Sequence, residues 1–270
     1  MGSHSKRFGK FGIAFHSAFG RNRLNGSMPE SLGNLKNLEY LVLMGNQLSG
    51  PIPEELEKLK LVRIEMSRNR FSGHFPNGIC NEGKLEKLVV ANNSLIGRLP
   101  KSLYNCSSLI RLRFDGNQLT GDISESFGVY PNFDYINLND YKIYGKISDN
   151  WKSLGNLKNL EYLVLMGNQL SGPIPEELEK LKLVRIEMSR NRFSGHFPNG
   201  ICNEGKLEKL VNQLSGSIPS EIGTLSSLKR LELQDNNLWG PIPKDLGNLA
   251  SLFILHLAEI VSMVQCQNHW

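Results

Sequence analysis

Leu41-Val42-Leu43-Met44-Gly45-Asn46-Gln47-Leu48-Ser49-Gly50-Pro51-Ile52-Pro53 decides the fold, because versions of it recur along most of the chain. Apolar residues at its first, third and eighth places, Asn at its sixth and a Gly-x-apolar-Pro ending describe a short strand that turns at once onto a second face. In Leu38-x-x-Leu41-x-Leu43 the leucines point inward, and the residues between them point to the opposite surface of the sheet. Asn46 lies where the chain leaves the strand. Its amide can both donate to and accept from buried backbone groups, which would otherwise stay unpaired at a cost of about 1–3 kcal/mol each.

The Asn position can be followed as Asn22, Asn46, Asn69, Asn93, Asn117, Tyr141, Asn168, Asn191, Asn212 and Asn236, with intervals of 21 to 27 residues. Periods of this size mark a solenoid in which each turn buries its apolar face against the next. A glycine stands four residues after every one of these positions, as at Gly50 and Gly121, where the bend calls for a positive φ or a close backbone approach. Pro29, Pro53, Pro76, Pro100, Pro175, Pro198, Pro219 and Pro243 fix φ after the glycine and suit a short extended stretch ahead of an irregular helical turn.

Composition narrows the function classes. The chain has 270 residues, 40% of them hydrophobic, enough for one elongated domain with a core. Its 31 Lys+Arg against 26 Asp+Glu are interleaved without blocks of one sign, and no basic stripe accompanies a nucleic-acid module, so nucleic acid is not an expected partner. Cys80, Cys106, Cys202 and Cys266 form no close pair of the metal or redox kind, so no metal or cofactor is expected. A nucleophile elbow, a phosphate loop and a paired-carboxylate cleft are all missing from the pattern, which argues against an enzyme. No apolar run reaches the roughly 18–20 residues of a membrane span. Glycines and His16 interrupt the first twenty residues, which do not read as a secretory signal.

Three segments follow. Residues 1–21 lie outside the repeats, 22–257 form the solenoid of about ten turns plus a partial one, and 258–270 form a tail. In the first segment Phe8, Phe11, Phe15 and Phe19 would line one face of a helix, while Phe11, Ile13 and Phe15 alternate as a strand would. Two roles fit it, a lid over the open end of the solenoid or a basic amphipathic membrane-surface segment. In the tail, Val261, Met263 and Val264 either cover the last leucines or fray.

Ser31 to Val89 recurs residue for residue as Ser153 to Val211, 59 positions at an offset of 122. Entering the copy, Tyr141 to Asn168 is three residues long for the period; leaving it, Val90-Ala91-Asn92 of the first copy has no counterpart. The shortfall predicts a bulge or break in the main sheet at residues 207–213.

Asn-x-Leu-Ser-Gly-x-Ile-Pro, at Asn46–Pro53 and Asn168–Pro175, resembles the plant-type leucine-rich repeat. Gly78-Ile79-Cys80-Asn81-Glu82-Gly83, the stretch from Leu103 to Arg113 and the stretch from Gly121 to Asn132 are similar to ectodomains of plant receptor-like kinases. The resemblance implies an α/β-type leucine-rich-repeat solenoid. That fold is a right-handed superhelix with a concave parallel sheet, a second layer of short strands and convex 3₁₀ turns. It also implies an extracellular or cell-surface role, with a secreted peptide or a partner receptor protein as ligand. A chain without a kinase domain would not itself phosphorylate anything. On the same resemblance Cys80 and Cys106 pair in an oxidising compartment, leaving Cys202 free. Polygalacturonase inhibitors use a similar scaffold, so a secreted cell-wall defence protein acting on a pathogen glycanase is the alternative. A product whose function was lost at its mismatched junctions is another.

Six residues before each Asn position lies one concave column: Tyr40, Arg63, Lys87, Arg111, Tyr135, Tyr162, Arg185 and Arg230, with Lys209 at the shortened strand. All are basic or aromatic, and neighbouring strands lie about 4.8 Å apart. Such a column suits an extended, carboxylate-bearing ligand held by charge-assisted hydrogen bonds. Arg113 and Asn137, two residues after Arg111 and Tyr135, share the face. By resemblance, Arg111-Leu112-Arg113 matches the Arg-x-Arg pair that grips a peptide's C-terminal carboxylate in plant peptide receptors. Against this stand Glu39, Glu86, Asp134, Glu161 and Glu208, one residue before the column, and Glu65, Glu187 and Glu232, two after it, which could neutralise the arginines in exposed pairs. Asn25-Gly26-Ser27, Asn92-Asn93-Ser94 and Asn105-Cys106-Ser107 make Asn25, Asn92 and Asn105 candidate glycosylation sites.

Overall fold

The computed structural model describes residues 15–18, 22–125, 127–147, 159–194, 198, 207–211, 215–233 and 237–257. Where it is described in full, a repeat supplies one inner strand, a turn at the Asn position and a second short strand. In chain order the strands are β1 (Phe15–Ala18), β2 (Asn25–Ser27), β3 (Leu38–Val42), β4 (Gln47–Gly50), β5 (Arg63–Glu65), β6 (Arg70–Gly73), β7 (Lys87–Val89), β8 (Ser94–Gly97), β9 (Arg111–Arg113), β10 (Gln118–Asp122), β11 (Tyr135–Asn137), β12 (Lys142–Lys146), β13 (Tyr162–Val164), β14 (Gln169–Pro173), β15 (Arg185–Glu187), β16 (Arg192–Ser194), β17 (Lys209–Val211), β18 (Ser215–Gly216), β19 (Arg230–Glu232), β20 (Asn237–Leu238) and β21 (Ile254–His256). The odd-numbered strands make one eleven-stranded sheet in chain order, the concave face of a leucine-rich-repeat solenoid. The even-numbered strands from β2 to β16 make an eight-stranded second sheet, and β18 pairs with β20 in a separate one.

Inward leucines such as Leu41, Leu112, Leu163 and Leu231 are buried in one continuous core. Among the described residues six 3₁₀ turns carry a proline at the N-cap, Pro29, Pro53, Pro100, Pro175, Pro219 and Pro243, each with φ between −76° and −60° or, at Pro100, −56°. Proline's locked φ is what that corner requires, and it has no N–H to leave unpaired. Gly50 and Gly121 turn the chain at φ +76° and +112°, values that cost a side chain dearly.

The Asn positions form the expected ladder. Asn69 Oδ1 accepts from the Leu48 N–H at 3.0 Å, while its Nδ2 donates to the carbonyls of Leu43 at 2.9 Å and Met66 at 3.1 Å. Asn93, Asn117, Asn168 and Asn191 repeat the pattern, joining each repeat to its predecessor. Tyr141 interrupts it. Its hydroxyl is buried beside Asn117 without a hydrogen bond of standard geometry, and burial pushes the phenol's pKa far up, so it stays neutral.

One expectation is overturned. The concave ladder runs unbroken through β17, with Lys209 opposite Arg185 and Arg230, and Leu210 opposite Ile186 and Leu231. The missing triplet corresponds to residues that follow the strand in the first copy, so the strand itself keeps its full pattern. In the second layer β16 and β18 are not paired among the described residues. At the entering junction both sheets continue, β11 to β13 and β12 to β14.

At the N-terminal end, β1 lies parallel to β3 and extends the concave sheet. The remainder of residues 1–21, the tail 258–270, Cys202 and the Asn212 and Asn236 positions lie outside the described residues. Among the described residues no helix is long and apolar enough to cross a membrane, and no cluster of side chains could hold a metal ion.

Candidate functional site

Register places the predicted column in one straight row: Tyr40, Arg63, Lys87, Arg111, Tyr135, Tyr162, Arg185, Lys209 and Arg230 stand opposite one another on successive strands. A second row runs beside it, with Glu65, Val89, Arg113, Asn137, Val164 and Glu187 in register. The side-chain period of two puts both rows on the concave surface.

Charges within these rows are unevenly satisfied. Arg63 pairs with Glu65 at 2.6 Å, Arg185 with Glu187 at 2.8 Å and Arg230 with Glu232 at 3.1 Å, each two residues along its own strand. Arg113 is held by both oxygens of Asp115, with Nη2 3.0 Å from Oδ2. That hydrogen bond, the largest influence on it, raises the Arg113 pKa against an opposing effect of partial burial. Arg111 differs. Its contacts to Asp134 are long, 3.4 Å from both Nε and Nη2, against about 2.7–2.9 Å for a formed charge-assisted bond. Its guanidinium sits over the Tyr135 ring, 5.0 Å from the centroid. Lys87 makes no ion pair among the described residues. Among the described side chains the row therefore leaves one region, Lys87 with Arg111, whose positive charge is not taken up by a close internal partner.

Arg111 and Arg113 share a face, each with its side chain 41% exposed, but the Asp115 contact engages one of the two forks. Asp115 was not among the acids flagged by the sequence pattern, although it stands two residues after Arg113 as Glu65 does after Arg63. Of the flagged acids, Glu208 pairs with Lys229 at 2.7 Å, off the column. Asn137 is only 7% exposed, and its Oδ1 accepts from the Asn139 N–H at 3.2 Å, so it offers a ligand little surface. Tyr135 and Tyr162 stand side by side with ring centroids 5.4 Å apart and planes inclined by 33°. The signal for this pair was present in the sequence as successive aromatic members of the column.

Away from the row, Cys80 and Cys106 are joined by a disulfide, with Cα atoms 5.7 Å apart. Asn25, Asn92 and Asn105 are all exposed.

The leucine-rich-repeat family model matches residues 37–59, 60–81, 84–106, 159–181, 182–203 and 227–249, together just over half of the chain. Among curated proteins the chain is 43% identical over 178 residues to receptor-like protein 49 of Arabidopsis thaliana, covering 65% of this chain and 21% of that protein. To phytosulfokine receptor 1 of the same plant it is 31% identical over 157 residues, 48% of this chain and 15% of the receptor. Among solved structures, the Arabidopsis receptor kinase HAESA, in complex with the peptide hormone IDA and the co-receptor SERK1, superposes with a TM-score of 0.83 at 37% identity. That match covers 88% of this chain and 40% of the other. The chain thus spans well under half the length of each of these relatives. With its repeat matched by the family model, its Asn ladder formed and its likeness running to plant receptor ectodomains, the chain belongs to the leucine-rich-repeat family.

Proposed function

We propose that this chain is a non-catalytic recognition scaffold that binds an extended peptide along its concave face, in the manner of the extracellular part of a plant leucine-rich-repeat receptor. The observation that carries the reading is the loosely held Arg111 fork beside Lys87, in a row whose other described arginines have close acidic partners. A peptide carboxylate placed there gains charge-assisted hydrogen bonds without first displacing a tight internal one. The HAESA complex is with a peptide hormone, which supports a peptide as the ligand class. The disulfide fits an oxidising, extracellular setting. A secreted peptide is then the ligand, with a partner receptor as the further protein such a complex recruits.

The test is a titration of matched synthetic peptides that carry either a free or an amidated C-terminus. Free-acid peptides should bind more tightly, and Arg111→Ala should remove the difference. Equal affinity for both forms would sink the proposal.

A further inference from the structure

The stretch around Tyr40 occurs twice, but its two copies have different neighbours. Tyr40 on β3 lies opposite Arg63 on one side and the β1 backbone on the other. Its copy, Tyr162 on β13, lies between Tyr135 and Arg185. The repetition has therefore set a second tyrosine against Tyr135, and the two rings stand 5.4 Å apart with Arg111 stacked on the outer side of Tyr135. Both tyrosines are half-buried, so their positions are supported while part of each ring remains accessible.

From this geometry we infer that Tyr135 and Tyr162 form a specificity platform for a proline or aromatic side chain located third from the C-terminus of the bound peptide. The inference rests on the carboxylate site proposed at Lys87 and Arg111. The platform lies between β11 and β13, and the carboxylate site between β7 and β9. Those midpoints are two strand spacings apart, about 9.6 Å at about 4.8 Å per strand. An extended peptide advances about 3.3 Å per residue, so the third residue counted back from the carboxylate begins about 9.9 Å from it, and alternation turns its side chain the same way as that of the last residue. A planar or ring side chain there gains apolar contact and offset stacking on tyrosine. Arg185 is held by Glu187 at 2.8 Å and does not compete as a second carboxylate site beyond the platform.

The probe is a panel of fluorescein-labelled hexapeptides of Gly and Ser with a free C-terminus, carrying a single Pro, Tyr or Phe at each of the last four positions. Fluorescence polarisation against the full chain should show the tightest binding with the ring third from the end. Tyr135→Ala and Tyr162→Ala should each abolish that positional preference, weakening the preferred peptide by up to about tenfold. Tyr162→Phe should keep it, and unchanged far-UV melting of the variants separates lost binding from lost fold. Equal affinity at every ring position, or a preference that survives Tyr162→Ala, overturns the platform. Amidated copies of the panel separate the two claims. Amide-sensitive binding without ring preference removes the platform alone, ring-dependent binding insensitive to amidation removes the carboxylate site and with it the distance assignment, and a panel that does not bind at all removes both.

Discussion

Arg63 donates to the carboxylate of Glu65, two residues along the same strand, and the contact recurs 122 residues later between Arg185 and Glu187. The same spacing pairs Arg230 with Glu232 on a strand whose register neighbours are Lys209 and Ile254 rather than a tyrosine and a lysine, so the contact is set within its own strand. The Arg63 side chain is 39% exposed and Glu65 15%, which leaves much of the attraction screened by water. Glu65→Gln should therefore cost no more than about 1 kcal/mol in urea unfolding. A loss above about 2 kcal/mol would assign the pair to a buried network.

The same pairing governs binding through Arg113. Because Asp115 occupies its fork, Arg113→Ala should weaken binding of a free-acid peptide less than Arg111→Ala does, whereas Asp115→Asn should release Arg113 and strengthen binding. Side-by-side calorimetric titrations of the three variants check this. An Arg113→Ala loss as large as that of Arg111→Ala would show that the Asp115 contact gives way to ligand.

Asn117 is buried and makes hydrogen bonds from both ends of its amide, to the Leu95 N–H and to the carbonyls of Val90 and Phe114. Asn117→Ala strands these backbone groups, each costing about 1–3 kcal/mol, and the sum over partly relaxed groups should be about 2–4 kcal/mol. Chemical denaturation measures it directly.

Tyr141 occupies the corresponding position one repeat later but leaves its hydroxyl unsatisfied. Removing that oxygen with Tyr141→Phe should leave stability unchanged or raise it by about 1 kcal/mol, since burying an unpaired hydroxyl is costly. A lower melting temperature would identify a partner for the hydroxyl.

The disulfide closes a sequence separation of 26 residues. In the chain-entropy account, a loop of that size restrains the unfolded chain by about 3–4 kcal/mol. Reduction, or Cys106→Ser, should lower stability by an amount of that order. A thermal melt with and without reductant reports it.

Much of this architecture is legible in the sequence alone. The period located the strands, and counting back from the Asn positions placed Tyr40 through Arg230 in one row, because register in a solenoid follows from repeat length. The contents of that row were less legible. Which acid pairs with which arginine depends on rotamers and strand geometry, so Asp115 escaped notice and Glu208 turned towards Lys229. Asn137 looked available from its spacing, but its exposure is decided by the side chains around it. The shortened junction predicts a break in the concave sheet, and the ladder runs through it unbroken. The duplicated segment leaves its second copy three residues short, whereas the hydrogen-bonded strand Lys209–Val211 keeps its place in the ladder.

The strand pairing among the described residues bears on how the molecule would come apart. Along most of the solenoid, adjacent repeats are joined by two sheets, so separating them breaks two sets of backbone bonds at once. Between β16 and β18 only the concave sheet carries strand pairing among the described residues. In a quasi-one-dimensional chain, stability is a sum of repeat and nearest-neighbour contributions, and a weakened neighbour contribution divides one cooperative unit into two. The repeats from Ser215 onward should exchange their amide hydrogens earlier than those before Ser194, with the boundary at this joint. A solenoid can thus keep the surface of its concave sheet continuous and still yield first where that sheet alone joins two repeats.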